Sequence, residues 1–136
     1  MILREHNGDV IFTACRILAF CNDATEVELG AIEEGLLLSL LSTMLNFTVE
    51  TDCAEAVELI KDSTPNTSIH AFRISNIREL IQERGIKLAR ISRDANGASH
   101  ELARMGSVLA RTAFWPRGFP QEISGAVSDD CNPTPV

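Results

Sequence analysis

The sequence has no tyrosine, one tryptophan and no Cys-x-x-Cys pair among its 136 residues. Its four cysteines, Cys15, Cys21, Cys53 and Cys131, therefore lack the spacing of a zinc site or a redox pair. The N-terminus also lacks a basic stretch followed by an apolar one, since Arg4, Glu5 and Asp9 interrupt it. Without an export signal the cysteines read as reduced thiols of an intracellular protein, nuclear or cytoplasmic. The sequons Asn46-Phe47-Thr48 and Asn66-Thr67-Ser68 then read as chance matches. Long apolar runs are missing too. The most apolar stretch, GLLLSLLSTML at 35–45, is too short to cross a bilayer, which argues against a membrane partner.

Positive charge is scarce overall, with a net charge of −7, which as a single number argues against a nucleic-acid binder. The distribution says more. Residues 1–62 carry 12 acids against three bases, whereas 73–117 carry nine bases against four acids. One part is suited to holding a cation and the other to facing phosphates; solvated helix faces of mixed sign are the alternative.

With 45% apolar residues and a mean hydropathy of +0.06, the chain is long enough for one domain with a sizeable core. ILREHNGDVIFTACR reads as a β-hairpin about Asn7-Gly8, the turn pair most suited to positive φ. The expected strands are 2–5 and 10–16. A helix over 25–44 is capped by Asp23 or Thr25, with Ile32, Leu36 and Leu40 as its stripe and Leu29, Leu37 and Met44 widening it. A strand at 47–51 leads into a short helix at 53–61. A second long helix follows at 69–84, with Ile69, Phe72, Ile77, Leu80 and Ile81 as core candidates and Gly85 as its stop. IKLARIS (86–92) alternates as a strand that pairs in parallel with 47–51, and 97–111 is a last helix. This β-β-α-β-α-α-β-α order argues for an α/β fold, a mixed sheet flanked by helices. Residues 1–112 form the domain. Residues 113–136, punctuated by proline, lie over the core through Phe114 and Trp115 and then fray.

Two carboxylates stand out. On a helical wheel Glu28 falls with Ala31, Ile32, Gly35 and Ser39, the face that meets the sheet, where a carboxylate needs a partner. Asp52 stands where the strand VET passes into a helix. Converging there, the two would hold Mg²⁺, which takes oxygen ligands. Alternatively Asp52 caps the helix and Glu28 pairs with an arginine. His6 and His70 look structural.

Four segments in order, LREHNGDVIFTAC, EVELGAIEEGLLLSL, VETDCAEAVELI and ISRDANGASHELARM, resemble the plant ribonuclease H-like domain, related to type 1 ribonuclease H and to retrotransposon reverse transcriptases. The resemblance implies a ribonuclease H-like mixed sheet and hydrolysis of the RNA strand of an RNA–DNA hybrid by two Mg²⁺ ions on four carboxylates. It assigns Glu28 and Asp52 as metal ligands, with Glu28, Asp52 and His100 as the catalytic set. The family's first aspartate lies on a central strand upstream of LREHNGD, which this chain lacks; His100 stands where the fourth carboxylate is expected. The resemblance thus implies a truncated site of weak or no activity, and a sheet that a partner strand would complete. Arg93, Asn96, Ser99 and Arg104 are the candidates for contacting nucleic acid, a hybrid or RNA. The alternative is a non-catalytic interaction module that keeps the fold as a scaffold.

Overall fold

The structure, a computed structural model, describes residues 1–110 and 112–131. The chain divides into two compact units, Leu18–Ile91 and Met1–Ile17 together with the chain from Ser92 onward.

The unit Leu18–Ile91 holds α1 (Ala24–Ser42), β3 (Thr48–Thr51), α2 (Ala54–Lys61), α3 (Ala71–Arg84) and β4 (Lys87–Arg90). Asp23 caps α1, its side chain accepting from the Glu26 N–H at 2.7 Å. Glu26 answers by accepting from the Asn22 N–H and side-chain amide at 2.7 and 2.9 Å, so donors left over at the helix start are satisfied from both sides. Strands β3 and β4 pair in parallel, Thr48 opposite Lys87 through Thr51 opposite Arg90, as the alternation predicts. Parallel neighbours need a crossover, here α2 and α3. The core joins Leu29, Ile32 and Leu36 of α1, Ala56, Val57 and Ile60 of α2, Ile74 and Ile77 of α3, and Ile86 and Leu88 about β4. Gly85 ends α3 in the left-handed region at φ 61°, as expected of a helix stop.

Several core candidates lie outside. Ile69 and Phe72 are exposed, because α3 starts only at Ala71 and buries the stripe through Ile74 and Ile77. Leu37 and Met44 are exposed too, so α1 presents a narrower apolar face than the wheel suggests.

The other unit holds β1 (Ile2–Arg4) and β2 (Val10–Cys15), the expected antiparallel hairpin, with β5 (Ala113–Trp115) antiparallel on the far side of β2. The turn differs from a two-residue one. Gly8 N–H bonds to Glu5 O and Glu5 N–H to Asp9 O, which closes a three-residue loop. Gly8 has φ 93°, and a Cβ there would meet Cys131 Sγ at 2.8 Å, so glycine is required twice over. Helices α4 (Gly97–Val108) and α5 (Ser124–Cys131) complete the unit. Its core gathers Cys15, Ala98, Leu102, Met105, Ile123 and Val127. The segment expected to lie over the core does so through Trp115, and it also contributes a strand and a helix; its expected fraying at 132–136 lies outside the described residues. Phe114 stays half exposed while its ring meets Phe12 with centroids 5.4 Å apart. The four cysteines are free thiols. Among the described residues no helix is long and apolar enough to cross a membrane.

Candidate functional site

Glu28 and Asp52 both lie in the unit Leu18–Ile91, on elements tied together near each residue. Thr25 Oγ1 donates to Glu55 Oε2 at 2.7 Å, joining the first turn of α1 to the first turn of α2. Glu28 follows Thr25 by three residues, the spacing of side chains that neighbour on a helix surface. Asp52 precedes Glu55 by three. Both are half-buried, and Ile32 and Ser39 on the Glu28 side of α1 are buried. At the strand-to-helix corner Thr51 Oγ1 accepts from the Cys53 N–H at 3.1 Å, and Thr51 O accepts from the Ile91 N–H at 3.0 Å. The N-cap of α2 is Cys53, not Asp52, and its side chain makes no capping bond. The corner is held by a threonine turn at Thr51, and the N-cap position of α2 falls to Cys53.

Among the described residues no group of three or more His, Cys, Asp or Glu side chains is arranged to hold a metal ion. Two carboxylates do not fit a pair of Mg²⁺ ions, which needs a shared clamp on both metals. No hydrolytic step through Mg²⁺ is derived from this arrangement.

The other candidates sit together in the second unit. Arg93 and Asn96 bound the short 3₁₀ turn that precedes α4; Ser99, His100 and Arg104 stand on the helix. Arg93, Asn96, His100 and Arg104 are spaced three, four and four residues apart, which keeps them on one side. Ala98, Leu102, Met105 and Gly106 are buried on the other. Arg93 and Arg104 are exposed, and Asn96, Ser99 and His100 half-buried. Arg93 makes no ion pair among the described residues. Arg104 donates from Nε and Nη2 to Glu101 Oε2 at 3.1 and 2.8 Å, and those hydrogen bonds raise its pKa.

The start of α4 already carries an anion. Asp130 of α5 accepts from the N–H groups of Gly97 and Ala98 at 3.0 and 2.9 Å, and pairs with Arg4 Nη2 at 3.3 Å. Its side chain is 2% exposed. These backbone donors at a helix N-terminus suit a phosphate, but here a carboxylate from the same chain holds them. Any phosphate contact at this strip therefore falls to side chains. Sequence reasoning missed Asp130 and Arg4; no spacing signal links residues so far apart.

The bases at 73–117 do not all face outward. Arg73 Nε donates to Glu33 at 3.0 Å and its Nη1 to Glu26 O. Arg78 donates to the carbonyls of Leu59 and Ile60, ending α2, and to Thr64 O. His70 lies 3.4 Å from Asp23, a structural contact.

The model of the reverse transcriptase-like family matches residues 1–106. The chain belongs to that family. The match runs from β1 almost to the end of α4, so this reverse transcriptase-like domain includes Glu28, Asp52, His100 and the basic strip. The Asp130 cap lies beyond it. The α/β, ribonuclease H-like fold class expected from the sequence holds for the domain. No curated protein and no solved structure matches the chain.

Proposed function

We propose that this reverse transcriptase-like domain binds nucleic acid, an RNA–DNA hybrid or RNA, and hydrolyses it weakly or not at all. The observation that carries the reading is the strip Arg93, Asn96, His100 and Arg104 on one side of α4, within the family match. Arginines position a phosphate backbone, and amide, hydroxyl and imidazole groups add hydrogen bonds. Glu28 and Asp52 are the inherited metal ligands in this reading. With no group of three such ligands among the described residues, any Mg²⁺-dependent cleavage stays weak. His100 acts on a phosphate or a proton rather than as a magnesium ligand, because Mg²⁺ prefers oxygen.

The reading also takes the chain to be an intracellular member of the plant branch, for which the four ordered motifs speak. It takes the outer edge of β1, which bears no strand among the described residues, to be where a further strand adds. An aspartate carried on that added strand would supply the further carboxylate that the family resemblance calls for.

The test is binding of a fluorescent RNA–DNA hybrid by the chain and by an Arg93→Ala, Arg104→Ala double variant. Both positions are exposed, so the fold is retained. Each lost phosphate contact reduces the salt dependence by about one unit of log–log slope. The double variant is expected to bind more weakly with a shallower slope. Unchanged binding would remove α4 from the interface.

A further inference from the structure

The exposed face shared by α1 and α3 carries chemistry that the nucleic-acid reading leaves unused. The two helices run in the same direction. Glu33 of α1 meets Arg73 and Asn76 of α3 at 3.0 and 3.2 Å, and further along Leu37 faces Leu80 across an open groove. That groove, of about 350 Å³, is lined by Glu33, Leu37, Asn76, Glu79, Leu80 and Glu83.

Its apolar part continues past the groove. Leu37 is 43% exposed, Leu41 86%, Met44 84% and Leu45 77%. Leu37 and Leu41 stand one turn apart on the outside of α1, and Met44 and Leu45 follow in the loop beyond its end at Ser42. The hydrophobic effect disfavours large apolar side chains grouped in water, and such groups mark interaction sites. Its charged part is acidic. Glu33 is neutralised by Arg73, whereas Glu79 and Glu83 make no ion pair among the described residues. They are exposed and one turn apart on α3, a like-charge arrangement that disfavours its own helix.

We propose that this face docks an amphipathic helix of another protein. Its apolar side lies on Leu37, Leu41 and Leu80, and its lysines or arginines stand over Glu79 and Glu83. The charge selects the occupant: two unneutralised carboxylates lining a groove that also exposes Leu37 and Leu80 are complementary to a basic amphipathic helix and repel an acidic one. Leu37 and Leu41, one turn apart on α1, and Leu80 on α3 suit the anchors of a helix of about two turns. The surface shares no residue with the α4 strip, and its occupation does not depend on nucleic-acid binding.

The probe is a fluorescein-labelled 18-residue amphipathic peptide of leucine and lysine, with a leucine–glutamate peptide of the same pattern as its counterpart. The lysine peptide is expected to bind the whole chain and the glutamate peptide not to. Glu79→Gln with Glu83→Gln should weaken binding at least tenfold, and so should Leu41→Ser. Glu58→Gln with Glu122→Gln, exposed carboxylates elsewhere, should change it less than twofold. Every variant is checked by circular dichroism for retained helix, and Leu41→Ser by unchanged hybrid binding. Equal losses from the two carboxylate pairs would show attraction to net charge alone and overturn the site. So would an unaffected Leu41→Ser variant. A chain that sediments as a dimer, made monomeric by Leu41→Ser, would overturn the partner in favour of a second copy.

Discussion

Arg78 shows how much of this fold rests on single side chains. Its guanidinium donates to Leu59 O at 2.7 Å, Ile60 O at 3.0 Å and Thr64 O at 3.3 Å. Carbonyls at a helix end have no partner within the helix, and a cation there also suits the helix dipole. Arg78→Ala is expected to cost about 1–3 kcal/mol, the range for leaving buried polar groups unpaired. Urea unfolding measures it, and Arg78→Lys should recover only part, because one ammonium cannot reproduce the planar fork. Gly8→Ala is expected to destabilise the hairpin, since φ 93° and the 2.8 Å approach of Cys131 Sγ both oppose a Cβ. Two carboxylates should titrate low. The Asn22 N–H and amide hold Glu26 below its usual pKa, and the Thr64 N–H does the same for Asp62. Depressed folded-state values mean that their contribution is present above the unfolded pKa and lost as the pH falls through the folded one. Carbon-detected NMR titration should find both midpoints below the ordinary carboxylate range.

At the scale of elements, the sequence was most legible where a period was long or a turn chemistry strict. The alternation at 86–92, the Asn7-Gly8 turn, the Asp23 cap and Gly85 each led to an element that the structure contains. Ile69 misleads because it precedes the true start of α3 at His70-Ala71, and Phe72 because, inside the helix, it falls on the face away from Ile74 and Ile77. Strand β5 and helix α5 were illegible, since proline-rich surroundings give no period and their pairing is with distant residues. The cap on α4 has the same origin. Asp130 serves Gly97 and Ala98 from the far end of the chain. Asp130→Ala removes a cap and the partner of Arg4, and should cost about 1–2 kcal/mol, read as a lower urea midpoint. The candidate residues on α4 were legible as residue types at helical spacing. What the sequence could not show is that the backbone donors beside them are already filled.

For the whole molecule, charge and family point to different partners until charge is sorted by location. The net charge of −7 repels phosphates, yet two exposed arginines, Arg93 and Arg104, stand on one strip within the reverse transcriptase-like match. Glu28 and Asp52 stand out in the sequence as candidates through a helical wheel and a strand end, whereas whether three or more ligand side chains gather is a question of three dimensions. A single added carboxylate should therefore do little: His100→Asp alone is expected to leave hydrolysis of a hybrid near background, because metal-site groups act as a unit. The most direct measurement of the central claim is the affinity of the chain for an RNA–DNA hybrid duplex across a salt series. Bound phosphates release counterions, so log affinity should fall linearly with log salt, by about 0.9 per phosphate contacted on a B-form duplex. The account predicts a clear negative slope that becomes shallower in the Arg93→Ala, Arg104→Ala variant. Affinity that stays constant from low to moderate salt, or no affinity at all, would contradict nucleic acid as the ligand.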